Sequence, residues 1–100
     1  MRLLVTETLG SGATSQDGIY VCTAINKVHA RKAWVYKYAP DFDFSDIDFE
    51  SELPDEFETN DGAIFHWNGC TEIPEKDYEV LKKYIPELDT GGLDNCINKN

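Results

Sequence analysis

The chain is short of positive charge. Nine lysines and arginines face nineteen aspartates and glutamates, a formal net charge of -10 over 100 residues. Such a domain repels nucleic acid and anionic membranes, so direct binding to either is not expected. Its natural partners are basic surfaces or cations. Long apolar runs are lacking too. No stretch approaches the roughly 18 apolar residues that a membrane-spanning helix needs. Cysteine is scarce: Cys22, Cys70 and Cys96 are odd in number and irregular in spacing, which argues against a disulfide framework. The opening MRLLVTETLG is too short and too polar for a signal peptide. A cytoplasmic protein with reduced thiols is therefore expected, in a bacterial cell or a phage-infected host.

What the sequence does contain is enough for one core. The composition is 41% hydrophobic and 12% aromatic, which fills a single domain of this length and not two. RLLVTETL (2–9) is rich in apolar and β-branched residues and reads as a strand. GSGATSQDG (10–18) reads as a loop. IYVCTAINKV (19–28) and AWVYKY (33–38) alternate and read as two more strands, with Trp34, Tyr36 and Tyr38 on one face. AIFHWN (63–68) reads as a fourth. A helix follows Pro74, with Glu75 and Asp77 in its first turn, Tyr78, Leu81 and Ile85 as its apolar stripe, and Pro86 as its stop. The expected fold is α+β: a small antiparallel sheet of about four strands, one C-terminal helix packed on it, and an acidic segment between the third and fourth strands. Residues 1–90 form that domain, and 91–100 form a loose polar tail.

The charge is concentrated. Residues 41–61, DFDFSDIDFESELPDEFETND, hold ten carboxylates and no lysine, arginine or histidine. Outside them nine acids balance nine bases, so this stretch supplies the whole net charge. A plain solvated loop is the simplest account. Against it, Phe42, Phe44, Ile47, Phe49, Leu53 and Phe57 are interleaved with the acids, whereas disordered acidic tracts are poor in aromatics. These side chains are expected to pin the segment to the body and hold the acids outward. Asp41, Asp43, Ser45 and Glu52 also fall at calcium-loop positions. However, Asp46 stands where such a loop requires glycine, and flanking helices are missing, so no metal site is assigned.

A third account is a surface that imitates a nucleic-acid backbone. Carboxylates two apart on an extended chain lie about 6.5–7 Å from one another, close to the spacing of phosphates. Asp41 with Asp43, and Asp46 with Asp48 and Glu50, have that separation if the chain bends at Ser45. A short helix capped by Ser45, with Phe49 and Leu53 inward, is the alternative. Crowding of so many acids is expected to raise some of their pKa values.

Catalytic signals are thin. Cys22 and His29, with His66 and Cys70, match no standard zinc spacing. The glycines of 10–18 lack the lysine of a phosphate-binding loop. No catalytic residue and no cofactor is assigned. Lys27, Arg31 and Lys32 form the one basic cluster, at the end of a hairpin or paired with part of the acids.

In size and charge alone the chain resembles small acidic inhibitors such as phage anti-restriction and anti-CRISPR proteins and nuclease inhibitors. What that implies is a non-enzymatic inhibitor that occupies the basic nucleic-acid-binding surface of a target protein. Its contacts are expected at Asp41, Asp43, Asp46, Asp48, Glu50 and Glu52, extended by Asp55, Glu56 and Glu58, with Phe42, Phe44 and Phe49 as anchors or apolar contacts. An acidic interaction module or immunity protein without mimicry is the alternative, and a cation-binding module a further one.

Overall fold

Two long strands open the molecule and set its frame. The computed structural model describes the backbone of residues 1–98 and the side chains of residues 1–95. Strand β1 (Arg2–Ser11) pairs antiparallel with β2 (Thr14–Thr23) along its whole length. The loop between them is only Gly12 and Ala13. Gly12 has a φ of 61°, the left-handed backbone that glycine supplies at the first central position of a two-residue hairpin loop. The serines, Asp17 and Gly18 of the expected loop instead belong to the strands.

The third expected strand is a helix. Residues Lys27–Tyr38 form α1, and Trp34, Tyr36 and Tyr38 lie on it. Asn26 caps it, its side chain accepting from the His29 amide at 2.8 Å. Ala30, Ala33 and Trp34 recur at helical spacing and are buried against the sheet, which overrides the β-preference of the Trp, Val and Tyr run.

After α1 comes an irregular stretch with one 3-10 turn at Glu50–Glu52, and then the short strand β3 (Glu56–Glu58). Thus the acidic residues do not simply precede a strand; they include one. Strand β4 (Ile64–Glu72) continues past Gly69, where the sequence had suggested an end. A shift of register between Thr6 and Glu7 marks a bulge opposite that point. Helix α2 spans Glu75–Leu81 and α3 spans Gly91–Asn98. Leu93 of α3 is fully buried, so part of the expected polar tail packs into the core. Lys99 and Asn100 lie outside the described residues.

The fold is α+β, a four-stranded antiparallel sheet in the order β2-β1-β4-β3 with three helices. Its inner face carries Leu3 and Val5 of β1, Cys22 of β2 and Trp67 of β4, and α1 covers it. Trp34 sits at the centre, its ring 5.3 Å from Phe57 and 5.5 Å from Trp67. Burying side chains of this size stabilises a fold by about 1.5–3 kcal/mol each. At the β2 edge the chain segment after α2 joins the sheet: Val21 donates to the Pro86 carbonyl at 3.0 Å and accepts from the Leu88 amide at 2.8 Å.

Candidate interaction surface

The acidic segment is tied to the body by its apolar residues. Phe44 and Leu53 are buried, and Phe42, Ile47 and Phe57 are half-buried. Phe44 meets Phe42 edge-on at 5.0 Å and Tyr36 at 6.5 Å. Arg31 of α1 adds a polar tie, donating to the Leu53 carbonyl at 3.1 Å with Glu50 at 3.9 Å. Phe49 departs from this pattern: it is 68% exposed among the acids.

The acids point the other way. Asp41, Asp43, Asp46, Asp48, Glu52, Asp55, Glu56 and Glu58 are exposed and Glu50 is half-exposed. Among the described residues only two of the ten lie within 4.0 Å of a basic side chain, Glu50 near Arg31 and Glu56 near His66. The backbone beneath them is neither one extended run nor a capped helix. It turns at Ser45 and Asp46, where Asp46 takes a φ of 62°. Asp43 holds that turn by accepting from the Ser45 amide at 2.9 Å and from its hydroxyl. Glu52 accepts from the amides of Phe49 at 3.1 Å and Asp48 at 3.3 Å, fixing the 3-10 turn.

Local hydrogen bonds also decide the acidity of two of these groups. The Ser45 hydroxyl and amide hold the Asp43 carboxyl below its ordinary value. Thr59 does the same for Asp61. Crowding was expected to push such groups up. In these two the hydrogen bonds to the ionised form act in the opposite direction.

A groove of about 550 Å³ separates the segment from the start of α1, lined by Ile25, Val28, His29, Lys32, Asp48 and Asp94. His29 lines it. Its Nδ1 accepts from the Ile25 amide at 3.0 Å and its Nε2 lies 2.8 Å from Asp94 Oδ1. Both ring nitrogens are thus engaged, and the ring joins α1 to α3. Burial pushes the Cys22 thiol up to about 12, so it is a poor nucleophile at neutral pH. Burial raises the Cys70 thiol as well. No group of three or more His, Cys, Asp or Glu side chains suited to a metal ion occurs among the described residues. Asp43 and Glu52 of the calcium-loop pattern are turned onto their own backbone.

One carboxylate escaped the sequence reading. Glu7 is only 3% exposed, on the inner face of β1. Tyr38 donates to its two oxygens at 2.9 and 3.1 Å, and the Trp34 indole N–H donates at 3.2 Å. No basic side chain lies within 4.0 Å of it among the described residues. Gly18 on β2 leaves it room: a Cβ there would stand 2.9 Å from the Glu7 Cγ. Burial above all, then the neighbouring Tyr20 hydroxyl and the bond to Glu7, raise the Tyr38 hydroxyl well above the ordinary tyrosine range. The signal was parity, since Glu7 continues the inward alternation of Leu3 and Val5.

No protein-family model, curated protein or solved structure matches the chain. No helix among the described residues is long and apolar enough to cross a membrane.

Proposed function

We propose that the protein is a small acidic inhibitor that binds the basic, nucleic-acid-binding surface of a target protein in the cytoplasm. The observation that carries this reading is the two-sided build of residues 41–58. Phe44 and Leu53 are buried, while the acids between and beside them are exposed, Glu50 half so, and mostly without a basic neighbour. A mobile acidic loop spreads its charge over many conformations. An anchored one presents a fixed array, which is what a rigid basic groove rewards. Proteins that bind nucleic acid gain affinity by neutralising phosphates and releasing counterions, and fixed carboxylates compete for the same lysines and arginines. In this reading the first contacts are Asp41, Asp43, Asp46, Asp48, Glu50 and Glu52, and Asp55, Glu56 and Glu58 extend the surface. No side chain has a catalytic role.

The test uses the native chain and a variant carrying Asp43→Asn, Asp46→Asn, Asp48→Asn and Glu50→Gln as parallel baits in bacterial lysate. A nucleic-acid enzyme that elutes from the native bait at moderate salt, is absent from the variant, and is displaced by DNA or RNA is the expected result. Identical captures on both baits would reject the proposal.

Phe49 favours a second reading. An exposed aromatic among carboxylates gives an apolar contact that a phosphate backbone does not imitate. An acidic module or immunity protein that binds a basic partner unrelated to nucleic acid uses it directly. In that case capture depends on the acids and on Phe49, and nucleic acid does not displace the partner.

A further inference from the structure

Helix α1 starts with a reciprocal pair of hydrogen bonds. The Asn26 side chain accepts from the His29 amide at 2.8 Å. The His29 ring reaches back the other way, its Nδ1 accepting from the Ile25 amide at 3.0 Å. In a capping box the returning side chain is a Glu or Gln at the third helical position, and it holds the amide of the cap residue. Here the third position is His29, and the amide it holds lies one residue further back, on Ile25. The first turn of α1 has no acidic residue to take over this part.

The exchange matters because the acceptors respond differently to a proton. Glutamine accepts at any pH. A ring nitrogen accepts only while it carries no proton. Histidine is also the side chain whose ordinary charge change falls between about pH 5 and 8. The contacts fix where the single proton of the neutral ring sits. A backbone N–H can only donate, so Nδ1 is bare. Asp94 Oδ1, 2.8 Å from Nε2, accepts the Nε2 proton. A second proton has one place to go, Nδ1, where it stands against the Ile25 N–H. The same proton strengthens the Asp94 bond, which becomes an ion pair.

The surroundings pull both ways. The ring is largely enclosed, its side chain 13% exposed. Lys32 on α1, Asp48 of the acidic segment and Asp94 of α3 are the charged groups that share its groove. The two carboxylates favour a charged ring, and Lys32 and the positive end of the α1 dipole oppose it. The end that yields is Ile25. It is 79% exposed, so little packing holds it once its amide is released. Ala24, just before it, stays tied through its amide to the Met1 carbonyl at 3.0 Å. Opening is thereby confined to Ile25 and Asn26, which line the same groove as Ile47 and Asp48.

We propose that His29 is a pH-dependent latch on the start of α1. With a neutral ring the latch is shut. With a protonated ring it lets go of Ile25 and keeps Asp94. Mild acid therefore loosens one lining of the groove beside the acidic segment and leaves the tie between α1 and α3 in place. The latch works in the same way whatever partner the segment binds.

The experiment is an NMR titration of the full chain from about pH 8 to 5. It follows the His29 ring nitrogens and hydrogen exchange at the Ile25 amide, corrected for the intrinsic pH dependence of exchange. At the alkaline end the ring should carry its proton on Nε2. On acidification the protection of Ile25 should fall about fivefold, with the same midpoint as the ring. His29→Gln supplies a permanent acceptor and should keep Ile25 protected across the range. Asp94→Asn keeps an acceptor at Nε2 and removes the charge, so ring and amide should move together to lower pH. His66, the other histidine, lies against Glu56 on β4, and His66→Gln should leave both signals unchanged. A ring protonated on Nδ1 at the alkaline end, a ring that stays neutral throughout, or Ile25 protection indifferent to the ring would each overturn the latch. So would pH-dependent protection that persists in the glutamine variant, or ring and amide parting in the asparagine variant.

Discussion

Glu7 and the acids of residues 41–61 carry the same functional group and meet opposite surroundings. Glu7 is shut into the core with an indole and a phenol as donors. The segment's acids face water, and most of their defined hydrogen bonds are to nearby backbone or hydroxyl groups. Burying a carboxylate without a cation is expensive, so Glu7 persists because the donors around it are fixed and dry. The exposed acids avoid that cost individually and differ from Glu7 in being able to exchange water for a partner. Among the described residues the fold buries one carboxylate and leaves most of those in residues 41–61 exposed without a basic neighbour.

The largest effect that breaks this comparison is Glu7→Ala. It leaves the Trp34 N–H and the Tyr38 hydroxyl unpaired in the core and opens a void, at a cost of about 3–5 kcal/mol. Glu7→Gln keeps an acceptor and removes the charge. It should lie within about 1 kcal/mol of the native protein or exceed it. Urea unfolding of the two variants measures both. A Gln variant as damaged as the Ala variant would mean that these donors need the ionised group itself.

Gly18→Ala tests the same site from the neighbouring strand. The new Cβ meets the Glu7 Cγ, which is buried and whose carboxylate is held by Trp34 and Tyr38. The expected loss is about 1–3 kcal/mol. Paired with Glu7→Ala, which vacates the space, the substitution should cost much less; equal costs in both backgrounds would show that the two residues do not share that space.

How much of this was legible follows from pattern length. Strands β1, β2 and β4 alternate over many residues, and their existence was readable, although Ser, Asp and Gly at 15–18 disguised how far the hairpin runs. Helix α1 was missed because Trp34, Tyr36 and Tyr38 alternate as a strand would, while the helical signal was divided between the Asn26 cap and two alanines, Ala30 and Ala33. β3 is three residues between acids, too short to have a period. α3 begins with two glycines, poor helix formers, and the burial of Leu93 is a tertiary fact. In the candidate surface, the anchoring by Phe44 and Leu53 followed from composition; the exposure of Phe49 did not.

For the exposed half of the comparison, amide substitution at Asp46 and Asp48, whose carboxylates make no ion pair or side-chain hydrogen bond among the described residues, should leave the denaturation midpoint unchanged or raise it, since it relieves repulsion and buries nothing. A clear loss of stability would mean that these acids hold the fold, and the contrast with Glu7 would disappear.

The smallest effect is in the acid limb of stability. Asp43, through Ser45, and Glu75, through Arg2, both have folded pKa values below their ordinary ones. Each therefore adds stability that is fully present above the ordinary carboxylate range, about 4, and is lost as pH falls through the lowered folded value. Asp43, Asp61 and Glu75, whose folded values are lowered, should lose their contributions only as pH falls below the ordinary carboxylate range. Side-chain carboxyl shifts in a pH titration measure this directly. Replacing Ser45 with alanine should return Asp43 toward its ordinary value and leave Glu75 where it is. If Asp43 titrates with its neighbours in the native chain, the turn at Ser45 does not hold that carboxylate in solution, and the segment is a charged loop with no fixed array to offer.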